Sequence, residues 1–198
     1  MKRTIVVEHL DTELEEWQIL EYKTIWQECE RDGFDFILCG LADPPNIGEV
    51  TGIPLQCLRT EFLADKTCLL DPKGEQDLSP EDGQKFDVFL FGGILGDDPP
   101  RDRTAELRAK GFPGRRLGRE QMTTDTAARV TRMVIQGKHL DEITYIDRPD
   151  IELPATDGPK ESVSMPFKYV KNDKGPIMPD GMVSLLAADM DKGIDGLL

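Results

Sequence analysis

The feature that most constrains this chain is a series of short apolar runs with no polar alternation. They are Thr4-Ile5-Val6-Val7, Phe34-Asp35-Phe36-Ile37-Leu38-Cys39, Thr67-Cys68-Leu69-Leu70 and Phe86-Asp87-Val88-Phe89-Leu90-Phe91. A strand with apolar residues at consecutive positions is covered on both faces, as a parallel strand between helical layers is. Patterns of helical period fall between the runs. Thr12 and Glu15 have the T-x-x-E spacing of a capping box, opening a helix to about Arg31 with Gly33 as its stop. A short helix is expected from near Asp102 to Gly111, and a longer one from Thr123 to Gln136 with Gly137 behind it. Arg115-Arg116-Leu117-Gly118 reads as a weak fifth strand, Ile143-Thr144-Tyr145-Ile146 as a sixth, and the stretch from Gly40 to Gly52 as a Pro/Gly-rich loop. Strands separated by helices predict an α/β fold, with a mainly parallel sheet flanked by helices.

The chain has 198 residues, which suits one domain with an appendage. We expect a domain over 1–150 and a proline- and glycine-rich arm over 151–198 packed on it, its last residues without fixed structure. Lys+Arg at 24 against Asp+Glu at 38 gives a net charge of −14. Such a charge weighs against general affinity for a phosphate backbone and favours a basic partner. The longest apolar run, ending at Leu95, falls short of the roughly 20 residues a membrane helix needs. The basic start Met1-Lys2-Arg3 is followed by an apolar run that Glu8 and His9 cut off, so no signal peptide is read. Cys29, Cys39, Cys57 and Cys68 contain no C-x-x-C pair, and His9 and His139 are the only histidines, so no metal site is expected. Scattered thiols of this kind read as buried apolar groups in a reducing compartment, giving a soluble, cytoplasmic protein.

Four places could carry chemistry. Gly92-Gly93-Ile94-Leu95-Gly96 follows the strongest strand, where open α/β sheets bind ligands. It is not G-x-G-x-x-G, and no G-K-[ST] occurs, so the cluster is either a ligand loop or a turn needing positive φ. On the first helix, Leu14, Trp17, Glu21 and Ile25 form one stripe with a carboxylate inside it. A buried carboxylate is costly, so Glu21 is paired, at a groove edge, or aimed at a cationic ligand. Glu8-His9 closes the first strand, where a polar pair serves either a site or the fold. Asp97-Asp98-Pro99-Pro100-Arg101-Asp102-Arg103-Thr104 is either a solvated loop with Asp102 as a helix cap or a guanidinium-holding wall.

Four segments in order resemble a known family. They are Leu69-Leu70-Asp71-Pro72; Phe91-Gly92-Gly93-Ile94-Leu95-Gly96-Asp97; Arg116-Leu117-Gly118-Arg119-Glu120-Gln121-Met122-Thr123-Thr124-Asp125-Thr126-Ala127; and Tyr145-Ile146-Asp147-Arg148-Pro149-Asp150. Together with Val7-Glu8-His9-Leu10, Glu16-Trp17, Leu20-Glu21-Tyr22 and Met165-Pro166-Phe167-Lys168-Tyr169-Val170, they are similar to one branch of the SPOUT methyltransferases. That branch was once labelled S-adenosylmethionine-dependent RNA methyltransferases, and its characterised fungal member methylates arginine in a small-subunit ribosomal protein. The resemblance implies a SPOUT-like fold with a deep C-terminal trefoil knot, an exception to the rule against threaded chains. It implies S-adenosylmethionine held by Leu70 and Pro72, by Gly92, Gly93, Leu95 and Gly96, and by Leu117, Gly118, Gln121, Met122 and Thr123. It also implies a monomer.

Methyl transfer to a guanidinium brings two cations together, which needs nearby carboxylates. The arginine stays protonated until it reacts, so the task is to orient it and hold its charge. Glu8, Glu21 and Asp98 are the candidate clamp, Trp17 a stacking plane, and His9 a proton acceptor or pocket wall. Two rivals stand beside a basic small-subunit ribosomal protein as substrate. One is a SPOUT RNA methyltransferase using Arg101, Arg103, Arg108, Lys110, Arg115, Arg116 and Arg119, a cluster that could also give incidental ribosomal RNA contact. The other is a non-catalytic, ribosome-associated module.

Overall fold

The structure, a computed structural model, describes residues 2–59, 65–93, 102, 104–154 and 161–195, with side chains as far as residue 190. Strands β1 (Thr4–His9), β2 (Asp35–Cys39), β3 (Thr67–Leu70), β4 (Val88–Gly93) and β5 (Gly114–Arg115) form one sheet in the order β2-β1-β4-β3-β5. Every pairing in it is parallel. Ile5, Val6 and Val7 are all fully buried, because consecutive side chains point into two different apolar layers. Ile5, Val7, Phe89 and Phe91 meet Tyr22, Ile25 and Cys29 of α1 (Glu16–Asp32) and Ala128, Val130 and Val134 of α5 (Thr124–Ile135). Val6, Leu69, Val88 and Leu90 meet Leu107 of α4 (Ala105–Ala109) on the other face. The mainly parallel α/β sheet with flanking helices is therefore present.

Boundaries differ from expectation in instructive ways. Glu15, not Thr12, caps α1, and its capping box closes with Gln18, whose amide also donates to Asp11 at 2.6 Å. Gly33 stops the helix in the left-handed region, φ 77°, as read. The expected loop before Gly52 contains α2 (Pro44–Thr51), because proline fits the first helical turn, where its missing N–H costs nothing. A single turn, α3 (Asp82–Lys85), was not foreseen, and β5 lies at Gly114–Arg115 rather than at Arg115–Gly118.

Beyond α5 the chain leaves the parallel sheet. Strand β6 (Tyr145–Asp147), read as a sixth strand, pairs antiparallel with β9 (Lys168–Asn172), which pairs with β10 (Gly175–Pro176). Strands β7 (Asp150–Glu152) and β8 (Ser162–Ser164) form a separate ribbon. The helix α6 (Met182–Asp195) runs where an extended arm was expected. Ile151, Leu153, Met165, Phe167, Tyr169, Met182 and Leu186 form a second apolar core, packed against Trp17 and Leu20 of α1. The chain after Asp150 thus supplies a hydrophobic layer over the N-terminal half of α1.

Candidate active site

The carboxyl ends of β3 and β4, the segment 117–123 and the first turns of α1 and α5 surround a cleft of about 470 Å³. Phe167 closes one side. At the end of β3, Asp71 is 4% exposed and accepts from Arg108 Nε at 2.5 Å and Nη2 at 3.1 Å, tying α4 to the cleft. Arg108 also holds Asp102. At Gly92 an added Cβ would crowd Leu10 Cδ1 and Thr104 Cγ2, each at 3.0 Å, so those side chains would have to give way to admit one. The segment 117–123 is fixed from outside by β9, whose Lys168 N–H donates to the Gln121 carbonyl at 2.8 Å.

One wall of the cleft is acidic and dry. Glu21 is 2% exposed, and Trp17 Nε1 donates to its Oε1 at 2.9 Å. Thr124 and Asp125, at the start of α5, are its other hydrogen-bond neighbours. Burial first, and then the Asp125 charge, push the Glu21 carboxyl well above the ordinary carboxylate range. Burial also raises Asp125, while Arg129 pulls it back by pairing with Oδ2 at 3.2 Å. Thr123, the N-cap of α5, shares its hydroxyl between Asp125 Oδ1 at 2.7 Å and Thr126 at 2.8 Å. Arg129 and Arg132 then both reach Glu28 of α1, and Arg132 reaches Asp32 at 3.2 Å, so an ion network pins the two helices that build the wall.

Ten residues singled out from the sequence line this cleft: Leu70, Pro72, Gly92, Leu117, Gly118, Gln121, Met122 and Thr123, together with Trp17 and Glu21. Leu95, Gly96 and Asp98 lie outside the described residues. Three others are placed elsewhere. An added Cβ on Gly93 would strike the Tyr22 hydroxyl and Val7 Cγ1, so this glycine answers to the core. Glu8 pairs with Lys110 at 3.0 Å, and His9, 9% exposed, lies with Nδ1 3.0 Å from the Tyr22 hydroxyl; neither lines the cleft. The reason is register: β1 runs between β2 and β4, and its end is roofed by their strand ends, with Gly40 packed against the His9 backbone.

Sequence reasoning overlooked Asp71 as a cleft group, Phe167 as its side wall and Asp125 behind it, while Asp102 and Thr104, from the segment read as either a solvated loop or a guanidinium-holding wall, line the cleft. Asp71, Asp125 and Phe167 stood within quoted segments, but spacing along a strand or helix carries no sign of a contact made across the fold.

The chain matches the model of the family described as "Protein arginine N-methyltransferase SFM1-like" over residues 4–193. It belongs to that family. The protein arginine N-methyltransferase SFM1 of Saccharomyces cerevisiae is 38% identical over 216 residues, with 98% of each chain covered. The crystal structure of yeast SFM1 complexed with SAM superposes with a TM-score of 0.81 at 36% identity, covering 96% of this chain and 92% of that one. A Trm10 structure from Thermococcus kodakaraensis, at TM-score 0.50 and 19% identity over 71% of this chain and 96% of that one, shares the fold alone.

Three further expectations meet the structure here. The basic cluster that an RNA enzyme would need is largely neutralised among the described residues. Arg108 is held by Asp71 and Asp102, Lys110 by Glu8, Arg115 by Asp82 and Arg116 by Asp77. The four cysteines are free thiols; Cys29, Cys39 and Cys68 are buried and pushed up to about 12 by burial, so none is a ready nucleophile. No helix among the described residues is long and apolar enough to cross a membrane.

Proposed function

We propose that this chain is an S-adenosylmethionine-dependent protein arginine N-methyltransferase whose substrate is a basic small-subunit ribosomal protein. The observation that carries the reading is the Trp17–Glu21 pair, a half-buried indole bonded to a buried carboxyl that opens on the cleft between β3, β4 and α5. Family membership and the SAM complex of the yeast relative support the cofactor. The residues here fit it: a glycine at Gly92 where an added Cβ would crowd Leu10 and Thr104, apolar walls from Leu70, Leu117 and Met122, and polar groups at Gln121 and Thr123. When bound, S-adenosylmethionine supplies a methyl group on a sulfonium.

The chain's own residues do the rest. Glu21 faces the guanidinium and offsets two adjoining positive charges inside a water-poor cleft, where that attraction is strongest. Trp17 offers a plane for stacking while its N–H fixes the Glu21 oxygen. Asp71, braced by Arg108, holds the end of β3 against α4, so the strand end cannot retreat from the ligand. The net charge of −14 draws a basic protein and repels a bare phosphate backbone.

A deep trefoil knot belongs to the same reading. A monomeric, cytoplasmic enzyme completes it, with the antiparallel arm lying over α1. The deciding experiment incubates the protein with tritiated S-adenosylmethionine and hypomethylated small ribosomal subunits, then digests with nuclease or protease. Label that survives nuclease in one protein band, as monomethylarginine or dimethylarginine on hydrolysis, supports the proposal. Label lost with nuclease makes the chain an RNA methyltransferase, and cofactor binding without label makes it a non-catalytic module.

A further inference from the structure

Asp125 is 1% exposed and contributes no surface to the cleft, yet it stands directly behind Glu21. Two ionised carboxylates in hydrogen-bond contact can only accept, so such a pair is stable only with a proton between them. The partners already in place say where that proton sits. Asp125 Oδ1 is bonded to the Thr123 hydroxyl and Oδ2 to Arg129, both of which suit a charged group. Glu21 has only the Trp17 N–H and the Thr124 hydroxyl, both neutral. A neutral Glu21 donating to an ionised Asp125 satisfies every group.

The other titratable groups facing the pair leave that assignment intact. Glu28 on α1 is taken up by Arg129 and Arg132. Tyr169 on β9 and Tyr22 on α1 are buried and held as neutral phenols, by burial first and by the nearby carboxyls second. Among the described residues no cation of α1, α5 or β9 pairs with Glu21, whose neighbours are Trp17, Thr124 and Asp125; the cation that would ionise it comes from the cleft.

We propose that Asp125 is a positioning residue that keeps Glu21 protonated until a guanidinium enters, so that substrate capture releases one proton from Glu21 to solvent. This rests on the arginine methyltransferase reading. The arrangement spares the protein a permanent unpaired charge in a dry wall, and it favours a fixed cation that can displace the proton over neutral or weakly charged side chains. The residue acts through Glu21, so its signature is a pH dependence that a structural role would not produce.

The test measures methyl transfer to hypomethylated small ribosomal subunits from pH 5.5 to 9, for the wild type, Asp125→Asn and Glu21→Gln. In the wild type, kcat/KM rises about tenfold per pH unit and then levels, reporting Glu21 in the free enzyme, while kcat stays flat. Asp125→Asn moves the break to lower pH, because an amide can donate to an ionised Glu21. Glu21→Gln abolishes the break at low activity. The independent readout is the Glu21 carboxyl carbon followed by NMR in the free protein, which needs no substrate. Titration of Glu21 in the ordinary carboxylate range, or a break that Asp125→Asn leaves in place, overturns the proposal while methylation continues. Absence of protein methylation overturns the enzymatic reading and this proposal with it. If Asp125→Asn does not fold, the wild-type NMR titration and the Glu21→Gln profile still decide.

Discussion

At the scale of single residues, burial sets the behaviour of the site more than composition does. Glu21 is raised by burial and by Asp125, so its share of stability is complete below the unfolded carboxyl value and is lost as pH climbs through the raised one. Glu21→Gln keeps the shape of the neutral acid and cannot ionise. It is expected to melt near the wild type at pH 5 and above it at pH 8, with a Tm gap that widens with pH. A gap that stays constant in calorimetry contradicts this. Gly93→Ala is expected to cost about 1–3 kcal/mol in urea unfolding, because the new methyl meets the Tyr22 hydroxyl and Val7 in a packed core. Loss of activity in that variant would therefore report the fold before the cofactor. The glycines look alike in sequence, and only their neighbours separate Gly92, on the cleft, from Gly93, in the core.

At the scale of elements, α1 and α5 are held together by charge as well as by apolar contact. Arg132 is 1% exposed and reaches Glu28, Asp32 and Cys29. Arg132→Ala leaves Glu28 and Asp32 short of a counter-charge in a buried seam, with an expected loss of about 3–5 kcal/mol in chemical unfolding. A loss under about 1 kcal/mol would mean that Arg129 alone neutralises the seam. The elements themselves were legible to different degrees. Strand β3 and the stop of α1 at Gly33 were read in place, because a doubly buried run and a left-handed glycine are local signals. The helix α2 was hidden by its prolines, and the start of α1 by an alternative capping pair three residues too early. The helix α6 was missed because its apolar face is defined by a partner, α1, more than 150 positions away.

At the scale of the whole molecule, the chain carries a net charge of −14 and its arm covers Trp17 and Leu20 of α1. Raising KCl from 50 to 300 mM is expected to lower kcat/KM toward a basic protein substrate by about tenfold, chiefly through association, with kcat unchanged. Insensitivity to salt in steady-state kinetics would remove charge steering from the account. Deleting residues 150–198 strips Met165, Phe167 and Met182 from Trp17 and Leu20, and exposes a large apolar patch. The shortened chain is expected to aggregate or to bind an exposed-surface dye; a stable, folded product would show the arm to be dispensable.

The sequence by itself determined the parallel sheet, the core strands, half of the cleft-lining residues and the negative field. These follow from local periodicity, short-range turn chemistry and the sum of charges. It also carried the family, through the order of its segments. Only the tertiary structure decided that Glu8 and His9 turn from the cleft, that the basic cluster is neutralised, that the arm forms a second core, and that Asp125 stands behind Glu21. Each is a contact between residues far apart in the chain. The pairing of a charge or the depth of its burial depends on what the fold brings to it, and no spacing along the chain encodes that.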